Sequence, residues 1–166
     1  MTINMPAHKL ILDDVFEQPF KLIAVHSSVE EYRLAFLFNK HLNLRLARTS
    51  KDIDFQTGEL RILFAHYAFE DRQKYCHYHL VSNNARGETI TASYANSLFE
   101  GEQLTYKKAY LLPEFKQVDY FLKIEDETDV ISEKLLLESI KEIPQVSTAY
   151  SIDFHQIKSK ENLIFE

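Results

Sequence analysis

The sequence predicts an α+β domain, a two-layer sandwich in which two main helices cover one face of a mostly antiparallel sheet. Residues 20–48 and residues 118–154 each read as strand, helix, strand, a pattern loosely typical of ferredoxin-like domains. Between them, residues 59–81 read as one long β-hairpin. With 45% hydrophobic residues, a chain of 166 residues can fill one core, so we expect a single domain whose ends, residues 1–7 and 158–166, are its loosest parts.

The N-terminal unit begins with a short edge element at residues 8–12 and a strand at residues 20–26. Ser28 and Glu31 predict a capping box, because the serine oxygen can accept a first-turn amide while the glutamate reaches back. The helix behind them is apolar over much of its surface, which predicts that it is covered on more than one side. Residues 44–48 alternate and predict a strand with one wet face.

The middle of the chain is dominated by strand patterns. The polar residues 49–58 predict a loop. Residues 59–70 and 73–81 predict the two arms of a hairpin around a two-residue turn, Asp71-Arg72. The Ser-Asn-Asn-Ala-Arg-Gly run at residues 82–87 is typical of a turn.

The C-terminal half repeats the strand–helix–strand order. Residues 88–103 are ambiguous, with a strand favoured at Thr89 to Thr91, and residues 105–111 predict a strand. Residues 118–125 predict the next strand, residues 131–143 the second helix, and residues 146–154 the last strand. The strand at residues 118–125 alternates. One of its faces carries Val118, Tyr120, Leu122 and Ile124, and the other carries Asp119, Phe121 and Lys123.

The most specific stretch is residues 112–124, where a proline–acid turn stands directly before a strand. Its pattern consists of Leu112, Pro113, Glu114, Val118, Asp119 and Tyr120. This pattern resembles the signature of the IPExxxVDY family, a group of small bacterial proteins from the Bacteroidota, with Leu112 in place of the family's isoleucine. The resemblance implies a family whose members span most of a chain of this length. It implies no chemistry, because those members carry no assigned activity.

The two acids of this pattern have a catalytic and a structural interpretation. As acid and base, Glu114 and Asp119 would flank a substrate. As structural residues, Glu114 would accept backbone amides in the turn that Pro113 fixes, and Asp119 would pair with Lys or Arg on a neighbouring strand. We favour the structural interpretation, since no nucleophile or histidine stands beside them in the sequence. Tyr120 reads as a core ring whose hydroxyl reaches an edge.

Three histidines lie on the predicted hairpin. His66 is on one arm, and His77 and His79 share a face of the other arm. With a two-residue turn, His66 falls opposite His77, so that three imidazoles meet on one side, as in a catalytic zinc site with an open fourth position. The alternative is that these rings fill a half-buried sheet face, and a slip of one residue in register would scatter them. A metal-dependent enzyme is therefore the second hypothesis.

Basic residues gather weakly before and after the hairpin. The candidates for nucleic-acid contact are Arg45, Arg48, Lys107 and Lys108. A ferredoxin-like sheet with exposed rings is how some RNA-binding modules stack bases, and several tyrosines lie on predicted strands nearby. However, residues 74–80 lack the glycines and the basic–aromatic order of that type of module. RNA binding is therefore the third hypothesis, and the net charge of -6 argues against general electrostatic binding of DNA.

Composition and missing motifs favour a protein without catalytic activity of its own. The single cysteine, Cys76, points away from His77, reads as a small buried residue and favours a reducing compartment. No signal-peptide pattern and no apolar run of bilayer length occur, so we expect a cytoplasmic protein with no membrane partner. No glycine loop for phosphate, serine-hydrolase elbow or paired cysteine motif occurs, and no cofactor is implied. The leading hypothesis is a non-enzymatic interaction or regulatory module, acting as a homodimer or with a protein partner.

Overall fold

The structure is a computed structural model, and it describes residues 20–57, 60–91 and 103–165. These residues form two helices, α1 (Glu31–Leu42) and α2 (Glu133–Lys141). They also form ten strands: β1 (Lys21–His26), β2 (Ala47–Arg48), β3 (Ile53–Thr57), β4 (Leu60–Phe64), β5 (His66–Asp71), β6 (Cys76–Ser82), β7 (Asn84–Thr91), β8 (Gln103–Tyr110), β9 (Tyr120–Asp126) and β10 (Thr148–Ile152).

The main sheet has six strands in the order β10-β1-β9-β6-β5-β2, and every neighbouring pair is antiparallel. Helix α1 follows β1, helix α2 links β9 to β10, and both helices pack on the same face of the sheet. Without the inserted strands, the order β10-β1-β9-β6 with two helical crossovers is a split β-α-β arrangement of the ferredoxin-like type. The predicted α+β fold, with two helices on one face of an antiparallel sheet, is confirmed.

A second sheet of four antiparallel strands, in the order β3-β4-β7-β8, was not expected from the sequence. Strand β3 lies within residues 49–58, where the predicted loop is wrong because Ile53 and Phe55 alternate with polar residues and pair with β4. Strand β7 crosses residues 82–87, where the predicted turn is also wrong. Only Asn83 interrupts the chain there, between β6 and β7.

Two predicted strands have different limits in the structure. The long arm at residues 59–70 is two strands in two sheets, because the chain passes from the small sheet to the main sheet at Ala65. The strand predicted at residues 44–48 has only the two residues of β2. Its first part is held instead by Asn39, whose side chain accepts from the Leu46 N–H (2.7 Å) and donates to the Leu46 carbonyl (2.9 Å).

Both helices begin later than predicted. The N-terminal cap of α1 is Glu30, whose side chain makes no capping bond, so the predicted Ser28–Glu31 capping box is wrong. Helix α2 begins behind Ser132, whose hydroxyl accepts from the Leu135 N–H. Among the helices of the described ranges, none is long and apolar enough to cross a membrane.

Both faces of the main sheet are buried. On the helical face, Leu34 and Phe38 of α1 and Ile140 of α2 belong to one apolar cluster with the inner strands. On the opposite face, Phe121 of β9 belongs to a second cluster with Phe64 of the small sheet. Full burial of a ring such as Phe121 stabilises the fold by about 2 to 3 kcal/mol.

The C-terminal residues, expected to be loose, are held against this second cluster. After β10 the chain makes two short 3-10 turns, Phe154–Gln156 and Lys160–Leu163. Leu163 is fully buried, and the Asn162 side chain donates to the Leu111 carbonyl (2.8 Å). These contacts join residues 158–165 to the rest of the fold, and the looseness expected of residues 158–166 stays a prediction. Residues 1–7 and the element predicted at residues 8–12 lie outside the described ranges.

Candidate functional site

The signature turn at residues 112–120 is clamped by Asn83, which is fully buried. Among the described residues, five main-chain groups bond to Asn83: the carbonyls of Asp119 (2.8 Å), Phe115 (2.8 Å) and Val118 (2.9 Å), and the N–H groups of Leu111 (2.7 Å) and Leu112 (2.9 Å). The Val118 carbonyl and the Leu112 N–H meet the Asn83 side chain in the buried interior, where a polar group left without a partner costs about 1 to 3 kcal/mol. Asn83 therefore fixes the turn, although the sequence pattern did not mark it as a site residue.

Glu114 connects the turn to the C-terminal segment. Pro113 begins a 3-10 turn, and the Glu114 carboxylate accepts from the N–H groups of Lys158 and Ser159 (both 2.8 Å) and from the Ser159 hydroxyl (3.1 Å). Burial alone would raise the pKa of Glu114, but the Ser159 and Lys158 amides outweigh it and hold that pKa below its usual value. The amide of Glu114 itself also lowers this pKa, as expected of a turn carboxylate, and the bonds to the two distant amides were not predicted.

Asp119 and Tyr120 connect the same turn to the loop between β1 and α1. The Asp119 carboxylate accepts from the Ser27 N–H (3.0 Å), so the expected Lys or Arg partner is wrong. Tyr120 is buried, and its hydroxyl donates to the Val29 carbonyl (2.5 Å). It is a core ring whose hydroxyl reaches an edge, as predicted. Burial raises the pKa of this hydroxyl, which therefore stays protonated at neutral pH.

The carboxylates of Glu114 and Asp119 bond to two different segments of the chain. Glu114 binds the C-terminal segment, whereas Asp119 binds the loop that precedes α1. An acid–base pair would need both carboxylates on one substrate, with neither satisfied by the main chain. Leu112 and Val118 are fully buried beside them. The turn is therefore a junction that joins three segments of the main chain.

The hairpin of β5 and β6 has a longer turn than predicted. Asp71 accepts from the N–H groups of Gln73 (3.1 Å) and Lys74 (3.2 Å), which stabilises a four-residue turn at residues 72–75. As a result His66 lies opposite Val81, and the predicted pairing of His66 with His77 is wrong by four residues. Four is an even number, so the three histidines still share one face of the hairpin.

His66 and His79 form a hydrogen-bonded pair. The Nε2 atom of His66 lies 2.9 Å from the Nδ1 atom of His79, and the Phe165 ring packs on both imidazoles with centroids at 4.9 and 5.2 Å. One of the two facing nitrogens donates and the other accepts, so neither is free to bind a metal. Burial, with the nearby charges of His79 and Lys123, lowers the pKa of His66 to about 4, which keeps it neutral at pH 7.

The histidine pair continues into two charged groups on β9. Nε2 of His79 lies 3.7 Å from Oε2 of Glu125, and Glu125 forms an ion pair with Lys123. Lys123 is only 2% exposed, and its ammonium also donates to the Leu163 carbonyl (2.9 Å). His79 and Lys123 together lower the pKa of Glu125 to about 2. We call His66, His79, Glu125 and Lys123 the polar row; the C-terminal segment closes over it.

His77 stands apart from the polar row. It pairs with Glu70 of β5 and Glu125 of β9, nearer the turn. It lines a cleft of about 350 Å³ with Glu70, Asp71, Arg72, Tyr75 and Glu127. In the part of the chain that the structure describes, no group of three or more His, Cys, Asp or Glu side chains is arranged to hold a metal ion. Two of the three candidate ligands meet, and the third does not join them.

Cys76 lies on the other face of β6, as predicted, and is fully buried. Its thiol contacts the carboxylate of Asp126 (3.3 Å) and the carbonyl of Lys74 (3.2 Å). Burial, together with Asp126, raises the pKa of this thiol to about 11. Cys76 is therefore protonated and unreactive at neutral pH.

The four basic candidates lie on or beside edge strands of two different sheets. Arg45 is exposed just before β2, whereas Arg48 on β2 is bonded to Asp52, including an Nε contact of 3.1 Å. Lys107 and Lys108 lie on β8, and the Lys108 ammonium sits over a tyrosine ring of the same strand. A cleft of about 480 Å³ beside Arg48 contains a second Arg–Asp ion pair. Of the four candidates, Arg48 has its charge offset by an ion pair with Asp52.

The ring-bearing sheet face needed for base stacking is covered in the described residues. Tyr67 and Tyr78 are buried beneath the helices, at 8% and 3% exposure. The opposite face carries Phe121 and the polar row, and the C-terminal segment and small sheet close over it. Tyr67 and Tyr78 are therefore not available to stack bases, and RNA binding stays a prediction.

Helix α1 carries two exposed aromatic side chains. Tyr32 and Phe36 on α1 are 65% and 63% exposed, although we expected this helix to be covered on more than one side. Residues 32 and 36 are one turn apart, and Arg33 and Lys40 are exposed beside them. We call Tyr32, Arg33, Phe36 and Lys40 the α1 outer face. The sequence pattern could not show that the described residues leave it uncovered.

Comparisons of the chain with protein-family models, with curated proteins and with solved structures find no match. The geometry of the chain is therefore the basis for inferring its function. Three features matter: the junction at the signature turn, the closed polar row and the α1 outer face.

Proposed function

We propose that this chain is a non-enzymatic interaction module that binds a protein partner through the α1 outer face. The observation that carries this proposal is the exposure of Tyr32 and Phe36, both above 60%, one turn apart on a helix. Aromatic and arginine side chains are the residues that most often anchor protein interfaces. An α-helix that presents such anchors at i and i+4 fits an apolar groove.

The use of the polar side chains supports a role without catalysis. Glu114 and Asp119 are satisfied by backbone amides, and the hydroxyl of Tyr120 bonds to a carbonyl. The facing nitrogens of His66 and His79 bond to each other. A reactive centre needs polar groups that are free to bond to a substrate. The hydrogen bonds of these groups are made instead within the fold.

The charges beside the rings indicate the chemistry of the partner. Arg33 and Lys40 are exposed on the same helix as Tyr32 and Phe36. Positive flanks around an apolar centre favour an acidic rim around an apolar groove, because complementary charge speeds association and selects the correct partner. The partner that we propose is therefore a protein with an apolar groove and acidic edges.

Family and compartment belong to the same proposal. The six signature residues act together at one junction, which supports assigning the chain to the IPExxxVDY family. A protonated, buried Cys76 suits a reducing cytoplasm, where no disulfide is formed.

Photo-crosslinking tests the proposed surface. A benzophenone amino acid at position 36 is expected to crosslink a specific partner in lysate of the source organism, whereas the same probe at Tyr75, an equally exposed ring in a turn, is not. The double variant Tyr32→Ala, Phe36→Ala should lose the partner in affinity capture and keep its melting temperature. Equal crosslinking from both positions, or capture unaffected by the double variant, would rule out the α1 outer face.

A further inference from the structure

Strand β10 is an outer strand of the main sheet, and within the described ranges it pairs only with β1. Its sequence, Thr-Ala-Tyr-Ser-Ile, contains no charged residue and no proline. Natural edge strands are usually protected by charge, proline, a bulge or very short length. The opposite edge has two of these protections, because β2 is only two residues long and includes Arg48. Within the part of the chain that the structure describes, β10 has none of these four protections.

We propose that β10 pairs antiparallel with β10 of a second copy of the chain, about a twofold axis at Tyr150. The two six-stranded sheets then form one continuous sheet, and the unpaired backbone groups of both edges are satisfied. The second copy is a partner beyond the one bound by the α1 outer face. It occupies a different surface, so each interaction can fail without the other.

The strand is complementary to itself in this register. Thr148 lies opposite Ile152 of the partner, Ala149 lies opposite Ser151 of the partner, and the two Tyr150 rings meet at the axis. No like charges face each other, and cross-strand aromatic pairs are among the more favourable ones. The Tyr150 ring is already positioned by His26, whose Nε2 lies 3.3 Å from the tyrosine hydroxyl.

Helix α2 adds a second complementary contact. The carboxylate of Glu133 bonds to the hydroxyl of Ser151, so α2 runs beside β10 at the edge of the helical layer. Glu133, Leu137 and Lys141 are spaced by four residues and form one stripe along the helix. In the proposed dimer two α2 helices run antiparallel at roughly 10 Å, a packing distance for helices. Glu133 then meets Lys141 of the partner twice, on either side of the two Leu137 side chains.

The oligomeric state of the full chain is the first test. Light scattering with gel filtration should give twice the 19.5-kDa mass of the chain. Thr148→Lys places a charge on the exposed edge and should weaken the dimer by at least about tenfold. Ala47→Lys is the matched control, since Ala47 is exposed on the opposite edge strand of the same sheet. The control variant should dimerise like the unmodified chain.

Charge reversal on α2 tests the register without touching the strand. Glu133→Lys and Lys141→Glu should each weaken the homodimer, because each places like charges at both symmetric contacts. An equimolar mixture of the two variants should form a heterodimer, because opposite charges then meet at both contacts.

Three results would overturn the proposed dimer. A monomer for the unmodified chain at concentrations of about 100 µM, well above ordinary interface affinities, would do so. A dimer that persists unchanged in Thr148→Lys and in both charge-reversal variants would place the interface elsewhere. Failure of the mixed variants to associate while each alone remains folded by circular dichroism would refute the twofold axis at Tyr150. None of these results affects crosslinking from position 36.

Discussion

The His66 imidazole should make the fold sensitive to mild acid. It is 6% exposed, hydrogen-bonded to His79 and packed under Phe165. Its surroundings include the charged groups of Lys123 and Arg48, and protonation would place another positive charge among them. Burial and these neighbours lower the pKa of His66 from 6.5 to about 4.

The direction of the effect follows from where the proton binds more tightly. In the unfolded chain His66 binds a proton as the pH falls below its ordinary pKa of 6.5. In the folded chain it binds that proton only near its lowered pKa of about 4. The stabilisation is therefore complete above pH 6.5 and is lost as the pH falls toward 4. The full shift corresponds to about 3 kcal/mol, of which about 2 kcal/mol should be lost between pH 7 and pH 5. Glu125 adds little between pH 7 and pH 5, since the stability from its lowered pKa is lost only as the pH falls from its ordinary value of 4.5 toward about 2.

Urea unfolding of the protein at pH 7 and at pH 5 measures this loss. The unmodified chain should lose about 2 kcal/mol more than His66→Gln, which retains a polar group at this position but does not titrate. His41→Gln removes a histidine that is exposed on α1, and it should follow the unmodified chain. Equal losses for His66→Gln and the unmodified chain would show that His66 is not the acid-sensitive group.

The signature junction yields three further predictions. Asn83→Ala should reduce the free energy of unfolding by about 2 kcal/mol or more in urea, because the Val118 carbonyl and the Leu112 N–H lose their buried side-chain partner; a loss below about 1 kcal/mol would contradict the clamp. Glu114→Gln should free the C-terminal segment, so that trypsin cleaves faster after Lys158 and Lys160; an unchanged cleavage rate would show that the carboxylate does not hold this segment. Tyr120→Phe should cost about 1 kcal/mol, the worth of one hydroxyl–carbonyl bond, measured as a lower melting temperature; no change would exclude that bond.

The sequence predicts the main elements because their patterns are periodic and local. The apolar spacing of residues 131–143 and the alternation of residues 118–125 are each decided by neighbours within a few positions. These patterns place α2 and β9 correctly, and the order of elements gives the ferredoxin-like core. They also place Tyr120 in the core, because its neighbours at alternate positions are apolar.

The second sheet could not be predicted because it depends on contacts across the fold. Ala65 marks the passage from β4 to β5, yet the apolar run on both sides of it is continuous. The hairpin register depends on Asp71, whose carboxylate selects a four-residue turn over the two-residue turn that the sequence also permits. Lys123 offered one signal in the sequence, because it is a charged residue between apolar neighbours in an inner strand. Its ion-pair partner Glu125 is local, but the Leu163 carbonyl that it also binds lies 40 residues along the chain.

The polar residues of the turn at residues 112–120 recognise the main chain of distant segments. Glu114 bonds to amides 44 and 45 residues away, Asp119 to an amide 92 residues away, and Tyr120 to a carbonyl 91 residues away. A backbone amide is the same whatever side chain it carries, so the distant segments can vary in sequence while the turn cannot. Replacing a junction residue leaves a buried main-chain group unpaired, and the cost falls on the whole fold. Surfaces such as the α1 outer face and the β10 edge are outside this constraint, and recognition of partners is best sought there.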